Sequence, residues 1–138
     1  MRIAVVDGQG GGIGKHITEK LRRELPENVE ILALGTNALA TSLMLKAGAN
    51  EGASGENAVI WNAPRVDLIV GSLSILIPNG MLGELTSRMA EAIASSPAPK
   101  VLLPFARGKV ELVGQRGEPL PHLIDELVNR VKEFVKLS

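Results

Sequence analysis

The stretch that decides the fold is residues 2–25, RIAVVDGQGGGIGKHITEKLRREL. It begins with an apolar run of strand length, and five glycines then fall within seven residues. After the glycines, the apolar residues recur with the period of one helix face, at Ile13, Ile17, Leu21 and Leu25. We therefore predict a strand, a glycine-rich loop and a helix, and we expect Pro26 to end the helix.

The order of strand and helix repeats in the first half of the chain. Residues 29–35 predict a second apolar strand, and Thr36 or Asn37 is suited to cap a helix that ends at Gly48. The predicted inward face of that helix is Leu39, Leu43 and Ala47. Residues 49–57 lack periodicity and predict a polar loop, whereas the apolar runs 58–61 and 66–71 predict short strands of a buried parallel sheet.

The second half continues the pattern after one irregular piece. Residues 72–85 are largely apolar but contain Pro78-Asn79-Gly80, so we expect a structured loop. Thr86 is expected to cap a helix whose inward residues are Met89, Ile93 and Ala94. Residues 100–105 and 109–113 predict two more strands, and Pro121 suits the first turn of a last helix. The apolar stripe of that helix is Leu123, Leu127, Val131 and Phe134.

Strands and helices that alternate in this way predict an α/β fold. We expect a single doubly wound, Rossmann-like domain over residues 1–138, with a mostly parallel sheet. In such a fold the ligand crevice lies outside the carboxyl ends of the strands. The loops that follow each strand are therefore where a site is expected.

The composition excludes several classes of function. Lys plus Arg and Asp plus Glu each number 15, and the chain has no Tyr, one Trp and two Phe, so neither charge nor stacking favours nucleic acid. The absence of Cys excludes thiolate catalysis. The first predicted strand begins at Arg2, so we expect no secretory signal, and Asp67 with several turn residues interrupts the longest apolar stretch. We expect a cytoplasmic protein that binds neither nucleic acid nor membrane, and a homodimer.

The glycine-rich loop is the main candidate site. Glycines there let backbone N–H groups turn toward an anion, and the following helix adds unsatisfied donors and a positive dipole end, which favours a diphosphate. The predicted cofactor-binding residues of this loop are Gly8, Gln9, Gly10, Gly11, Gly12, Ile13, Gly14 and Lys15. The alternative is that the glycines only form a tight turn and allow close packing.

The spacing Gly8, Gly12, Gly14 fits G-x-x-x-G-x-G rather than G-x-G-x-x-G. It resembles the cofactor loop of the short-chain dehydrogenase/reductase superfamily, with Asp7 where that family usually has Thr. GGGIGKH is also similar to the phosphate loops of ATPases related to the nitrogenase iron protein. That likeness fails at Gln9, where a glycine is needed, and at His16, where a hydroxyl should bind magnesium.

Three other strand ends supply candidates. Dinucleotide enzymes usually carry an acidic residue near the end of the second strand, where this chain has Thr36 and Asn37, which is compatible with NADP or another nucleotide and weakens the case for NAD. Simple helix capping is the alternative reading of these two residues. Ser72 and Arg107 follow later strands and could contact the same ligand, although Arg107 could equally belong to a solvated basic loop.

Catalytic machinery is sparse. The short-chain dehydrogenases use a Tyr-x-x-x-Lys pair, and this chain has no Tyr, so the resemblance implies cofactor binding without that chemistry. Asp7 and Glu84 are the carboxylates that could move protons. His16 and His122 have no metal partner at ligand spacing, so no metal site is expected.

Over most of its length the chain resembles a small bacterial Rossmann-like family of unknown function, through DGQGGGIGK, ALGTNALAT, KAGAN and MLGE. We therefore expect a protein that binds NAD, NADP or a related nucleotide in a sensing or accessory role. Two alternatives stay open: a small enzyme acting on a phosphorylated or carboxylated metabolite, and a structural protein without a ligand.

Overall fold

A computed structural model of the protein describes residues 1–104 and 110–137. Its strands are Arg2–Asp7 (β1), Glu30–Gly35 (β2), Glu51–Ser54 (β3), Leu68–Ser72 (β4) and Lys100–Leu103 (β5). Its α-helices are Gly12–Glu24 (α1), Ala38–Ala47 (α2), Glu56–Asn62 (α3), Ser87–Ser95 (α4) and Leu120–Lys136 (α5). The strands form one sheet in the order β3-β2-β1-β4-β5, and all the pairings are parallel.

The sheet is buried on both faces, because its central strand is apolar at every position from Ile3 to Val6. Ile3 and Val5 pack with α1, α2 and α5, whereas Ala4 and Val6 pack with α3 and α4. Side chains alternate between the two faces of a strand, so one unbroken apolar run supplies both cores. The doubly wound α/β fold predicted from the sequence is confirmed.

The chain changes direction across the sheet between β1 and β4. From β1 the chain builds outward through β2 to β3, and after α3 it returns to β4 on the other side of β1. The loops that leave β1 and β4 therefore diverge to opposite faces of the sheet. This switch point is where open α/β sheets form their ligand crevice.

Most predicted boundaries are confirmed. Thr86 caps α4 by accepting a hydrogen bond from the Met89 amide at 3.1 Å, and Pro121 lies in the first turn of α5. Residues 72–85 form a structured loop that contains a 3-10 turn and a bridge between Gly80 and Leu85. None of the helices that the structure describes is long and apolar enough to cross a membrane.

Two predictions between β2 and β4 are wrong. Residues 51–54, predicted as loop, form the edge strand β3, whose mostly exposed side chains give no apolar signal because backbone pairing with β2 builds it. Residues 58–61, predicted as strand, lie in α3, where only Val59 is fully buried. Four apolar residues cannot separate a strand from one buried helix turn.

The predicted inward face of α2 is also wrong. Leu39 is 59% exposed, and the buried residues are Ala40, Thr41 and Met44. Thr41 takes an inward place because its hydroxyl hydrogen-bonds the carbonyl of Asn37 at 3.2 Å and the Ser54 hydroxyl at 2.8 Å. Hydrophobicity alone predicts leucines on the inward face of α2. A threonine lies there instead, because its hydroxyl has local hydrogen-bond partners.

Two predictions near the carboxyl end need correction. Ala94 is exposed, because the inward residues of α4 are Met89, Ala90 and Ile93. Residues 110–113 form no strand, and Val113 is fully exposed, since the sheet already ends at β5. Lys109, where that predicted strand begins, lies outside the described residues.

The corrected face of α2 gives a test of the fold. Met44→Ala should cost about 2–5 kcal/mol of unfolding free energy, because it opens a cavity between α2 and the sheet. Leu39→Ala, on the same helix but exposed, should change it by less than about 0.5 kcal/mol. Urea unfolding followed by circular dichroism measures both. A larger loss for Leu39→Ala than for Met44→Ala would contradict the described packing.

Candidate functional site

The glycine-rich loop lies at the switch point, between the end of β1 and the start of α1. Its turn is tight: the Gly11 amide donates to the Gly8 carbonyl at 2.9 Å. Gln9 and Gly11 have left-handed backbone conformations, with φ of 48° and 76°. Gly11 precedes the helix as its N-cap and supplies no side chain to the first turn. The loop therefore brings bare backbone to the carboxyl edge of the sheet.

Close packing accounts for three of the five glycines. A Cβ at Gly8 would stand 2.7 Å from the Met81 sulfur, and one at Gly11 would stand 2.8 Å from the Ala40 backbone. At Gly14 a Cβ would stand 2.7 Å from the Cβ of Asp7. These distances are shorter than side chains tolerate, so the alternative of a tight turn explains these positions.

Gly10 and Gly12 are different. A Cβ added at either would meet nothing within 4 Å, and neither has a positive φ. Both are exposed. Among the glycines that the structure describes, only these two lack both a close neighbour and a left-handed conformation. Neither packing nor backbone geometry therefore explains why residues 10 and 12 are glycine.

The open side of the loop carries free hydrogen-bond donors. The amides of Gly10, Gly12 and Ile13 have no hydrogen-bond acceptor in the described part of the chain. The Lys15 amide is bonded within the helix to the Gly11 carbonyl at 3.0 Å. The first turn of α1 contains no acidic residue. Unpaired donors at a helix N-terminus suit an anion.

Asp7 lies beneath the loop, on the sheet side. It is 7% exposed, and its Oδ2 accepts a hydrogen bond from the Gly14 amide at 2.6 Å. Burial raises the pKa of this carboxyl above 3.8, and the charge of Glu84 adds to the rise. Hydrogen bonds from the Gly14 and Gly8 amides oppose that rise in pKa without cancelling it. Asp7 thus accepts a hydrogen bond from one amide at the start of α1, and the amides of Gly10, Gly12 and Ile13 stay free.

Glu84 ties the loops that follow β1 and β2 together. Its Oε1 accepts hydrogen bonds from the Gln9 amide at 2.9 Å, the Thr36 hydroxyl at 2.7 Å and the Asn37 side-chain amide at 2.8 Å. These donors hold the pKa of Glu84 below 4.5, with the Thr36 hydroxyl the largest cause. The carboxylate is therefore ionised at neutral pH. The sequence suggested Glu84 as a proton carrier but did not place it at the end of β2.

Thr36 and Asn37 have separate tasks. Asn37 caps α2, because its Oδ1 accepts from the Ala40 amide at 2.8 Å, and its Nδ2 also donates to the Gln9 carbonyl at 3.0 Å. Thr36 does not cap the helix and instead donates to Glu84. Capping and a place at the site therefore coexist at this strand end.

The remaining predicted residues lie around the same edge. Ile13 packs on the core beneath α1, and the half-buried Lys15 makes no side-chain hydrogen bond or ion pair within the described residues. Ser72 is buried at the end of β4, one residue after Gly71, whose position lies against the carbonyl of Val6 in β1. Arg107 lies outside the described residues.

A group of possible metal ligands lies around the start of α5. Glu118, His122 and Glu126 bring ligand atoms within 4.8 Å of one another, so the expectation that His122 has no partner at ligand spacing is wrong. All three are exposed, and the His122 Nε2 pairs with the Glu126 carboxylate at 3.2 Å. His16 lies 3.8 Å from Glu19 on the exposed face of α1. Solvated pairs of this kind are common on helix surfaces.

The division among the glycines can be tested by stability. Gly14→Ala should lose about 1–3 kcal/mol, because the new methyl collides with Asp7 between helix and strand. Gly10→Ala, the matched control, should be neutral or up to about 1 kcal/mol more stable, because it restricts the unfolded chain. Denaturant unfolding of the two variants gives the comparison. Equal losses at both positions would contradict the open side of the loop.

Asp7→Asn should change how stability depends on pH. Because the folded pKa of Asp7 lies above 3.8, its contribution to stability is fully present below that pH and is lost as the pH rises through the folded pKa. Between pH 3 and 7, the unfolding free energy of the wild type should therefore fall relative to that of Asp7→Asn. Glu27→Gln, at an exposed carboxylate, is the control. A difference that does not vary with pH would refute the buried charge.

The fold has solved counterparts of low sequence identity. A candidate alcohol dehydrogenase from Thermotoga maritima aligns with a TM-score of 0.50 and 15% identity, over 93% of this chain and 36% of that one. This protein therefore spans about a third of the length of that structure. A dodecameric FMN-dependent UbiX-like decarboxylase from Escherichia coli O157:H7 aligns with a TM-score of 0.46 and 13% identity, over 99% of this chain and 95% of that one.

Among curated proteins, none matches the sequence. The model of one protein family does match, and it covers residues 2–136, nearly the whole chain. That range contains the glycine-rich loop, Glu84 and every described strand and helix. The chain therefore belongs to the family described as a domain of unknown function, DUF3842.

Proposed function

We propose that residues 1–138 form a single nucleotide-binding domain that holds the diphosphate of an NAD- or NADP-like ligand on the open side of the glycine-rich loop. The observation that carries the proposal is the pair Gly10 and Gly12, which neither packing nor backbone conformation requires to be glycine. Close approach of a ligand to the backbone is the remaining physical reason for omitting a Cβ.

The free donors support the same assignment. Three unpaired amides, at Gly10, Gly12 and Ile13, lie beside these two glycines at the start of a thirteen-residue helix. A diphosphate offers several acceptor oxygens at once, and a helix N-terminus favours its negative charge. Lys15, without an ion-pair partner among the described residues, is long enough to add a positive charge from the second turn.

We assign the domain a sensing or accessory role, or that of one half of a composite enzyme. The chain contains neither Tyr nor Cys, so the Tyr-x-x-x-Lys pair of the short-chain dehydrogenases and any thiolate nucleophile are missing. Asp7 is buried under the loop and bonded to the Gly14 amide, and Glu84 is held by three donors. Both carboxylates therefore have structural partners, which favours ligand binding over proton transfer.

Gly12→Val tests the proposal. Its side chain would enter open space, so folding should be preserved, while the diphosphate should lose access to the amides beside it. Isothermal titration with NAD, NADP, FAD, ATP and ADP-ribose should show saturable binding of at least one of them to the wild type. The variant should bind it at least about tenfold more weakly, since one lost charge-assisted hydrogen bond is worth that much.

Ala94→Val, on the exposed side of α4, is the matched control for added bulk and should bind like the wild type. Thermal unfolding of the free variants checks that both remain folded. If none of the five nucleotides binds the wild type, the proposal fails. It also fails if a folded Gly12→Val binds as tightly as the wild type.

A further inference from the structure

We infer that Glu84 determines which ribose the site accepts, and that the ligand carries a ribose with free 2′ and 3′ hydroxyls rather than a 2′-phosphate. The inference rests on the proposed nucleotide function and names the ligand class more closely. It depends on where the fold brings the Glu84 carboxylate.

The end of β2 is where a Rossmann-like fold reads the ribose, once the diphosphate lies on the loop after β1. In this chain β2 ends at Gly35 and is followed by Thr36 and Asn37, and none of these three residues is acidic. Glu84, 48 positions beyond Thr36, enters from the connection between β4 and α4 and hydrogen-bonds both Thr36 and Asn37. A carboxylate therefore lies at this strand end after all, supplied by another part of the chain.

Only one oxygen of that carboxylate is used by the protein. Oε1 accepts all three hydrogen bonds, and Oε2 accepts none from the described residues. Glu84 is half-buried, and its unpartnered Oε2 is not buried, because every buried side-chain oxygen of the described residues has a hydrogen-bond partner. An ionised carboxylate oxygen accepts hydrogen bonds and donates none, which suits the hydroxyl pair of a ribose.

The same charge opposes a 2′-phosphate. No Arg or Lys side chain of the described residues pairs with Glu84 or hydrogen-bonds Thr36 or Asn37, so no such contact among them offsets the repulsion. Hydrogen bonds keep the Glu84 pKa low, so the charge persists at neutral pH. The sequence has no acidic residue at the end of β2, which is compatible with NADP. In the folded protein, Glu84 supplies a carboxylate at that strand end.

The backbone around Glu84 holds its side chain in place. Leu85, the next residue, is fully buried and its amide donates to the Gly80 carbonyl at 3.1 Å. Asn79, Met81 and Leu82 all adopt positive φ, between 57° and 62°. Left-handed conformations cost energy for residues with side chains and persist where the surroundings impose them. The turn therefore has one defined conformation, in which the Glu84 side chain lies at the end of β2.

Glu84→Gln removes the charge and keeps the size of the side chain. Titration calorimetry with NAD and NADP, and with ADP and its 2′-phosphorylated analogue, gives the preference for a free ribose as a ratio of dissociation constants. The wild type should prefer the free ribose by about tenfold or more, as expected for like charges separated by one hydrogen-bonded layer near a surface. In Glu84→Gln the ratio should fall by about tenfold.

Thr36→Val is the matched control, because it removes one hydrogen bond to Glu84 and retains the charge. It should weaken both ligands of a pair while leaving their ratio unchanged. If the wild type binds the 2′-phosphorylated ligand as tightly as its partner, or if Glu84→Gln leaves the ratio unchanged, the inference is wrong and nucleotide binding stands. If the wild type binds none of these ligands, the inference is wrong, and if it also binds none of FAD, ATP and ADP-ribose, the proposed function fails as well.

Discussion

The close approach of α1 to β1 is the constraint on which the rest of the site depends. Gly14 lies so near Asp7 that no Cβ fits between helix and strand, and the Gly14 amide donates directly to the Asp7 carboxylate. The helix N-terminus is thereby fixed over the carboxyl end of the central strand. Because β1 borders the switch point of the sheet, the free amides of the first turn lie at the edge where open α/β sheets form their ligand crevice.

Asp7 and Glu84 respond to this arrangement in opposite ways. Asp7 lies under the loop, where burial outweighs two amide hydrogen bonds and raises its pKa. Glu84 is only half-buried and receives three donors, so its pKa falls. Two carboxylates near one helix end would repel each other if both were charged and unpaired. The donors around Glu84 and the readier protonation of Asp7 lower that repulsion, and both leave the outer amides unoccupied.

Much of the fold could be predicted from the sequence, because its signals are local and strongly periodic. The apolar run of β1, the glycines after it and the stripe of α5 each follow from the spacing of a few residues. The edge strand β3 could not be predicted, since its pairing with β2 depends on the partner backbone and not on its own side chains. The strand prediction for residues 58–61 failed for a related reason, because a single helix turn with one buried valine has no period to detect.

The candidate site also has a part that the sequence could predict and a part that it could not. The position of the glycine-rich loop between β1 and α1 could be predicted from the sequence, because glycine spacing is a property of a continuous segment. The sequence could not show that Gly8, Gly11 and Gly14 serve packing while Gly10 and Gly12 do not, since the neighbours that decide it, Met81 and Ala40, come from other elements.

Glu84 shows the limit most clearly. A search of β2 for a ribose-binding acid finds none, which from sequence alone weakens the case for NAD and is compatible with a 2′-phosphate or a different nucleotide. The fold brings a carboxylate from the β4–α4 connection to Thr36 and Asn37, and this is the observation behind the ribose preference that we propose. The charge at a strand end depends on all the side chains that the fold brings close to it, including those from distant parts of the sequence. A missing residue in a linear motif therefore argues against a ligand only when no other loop reaches the same point.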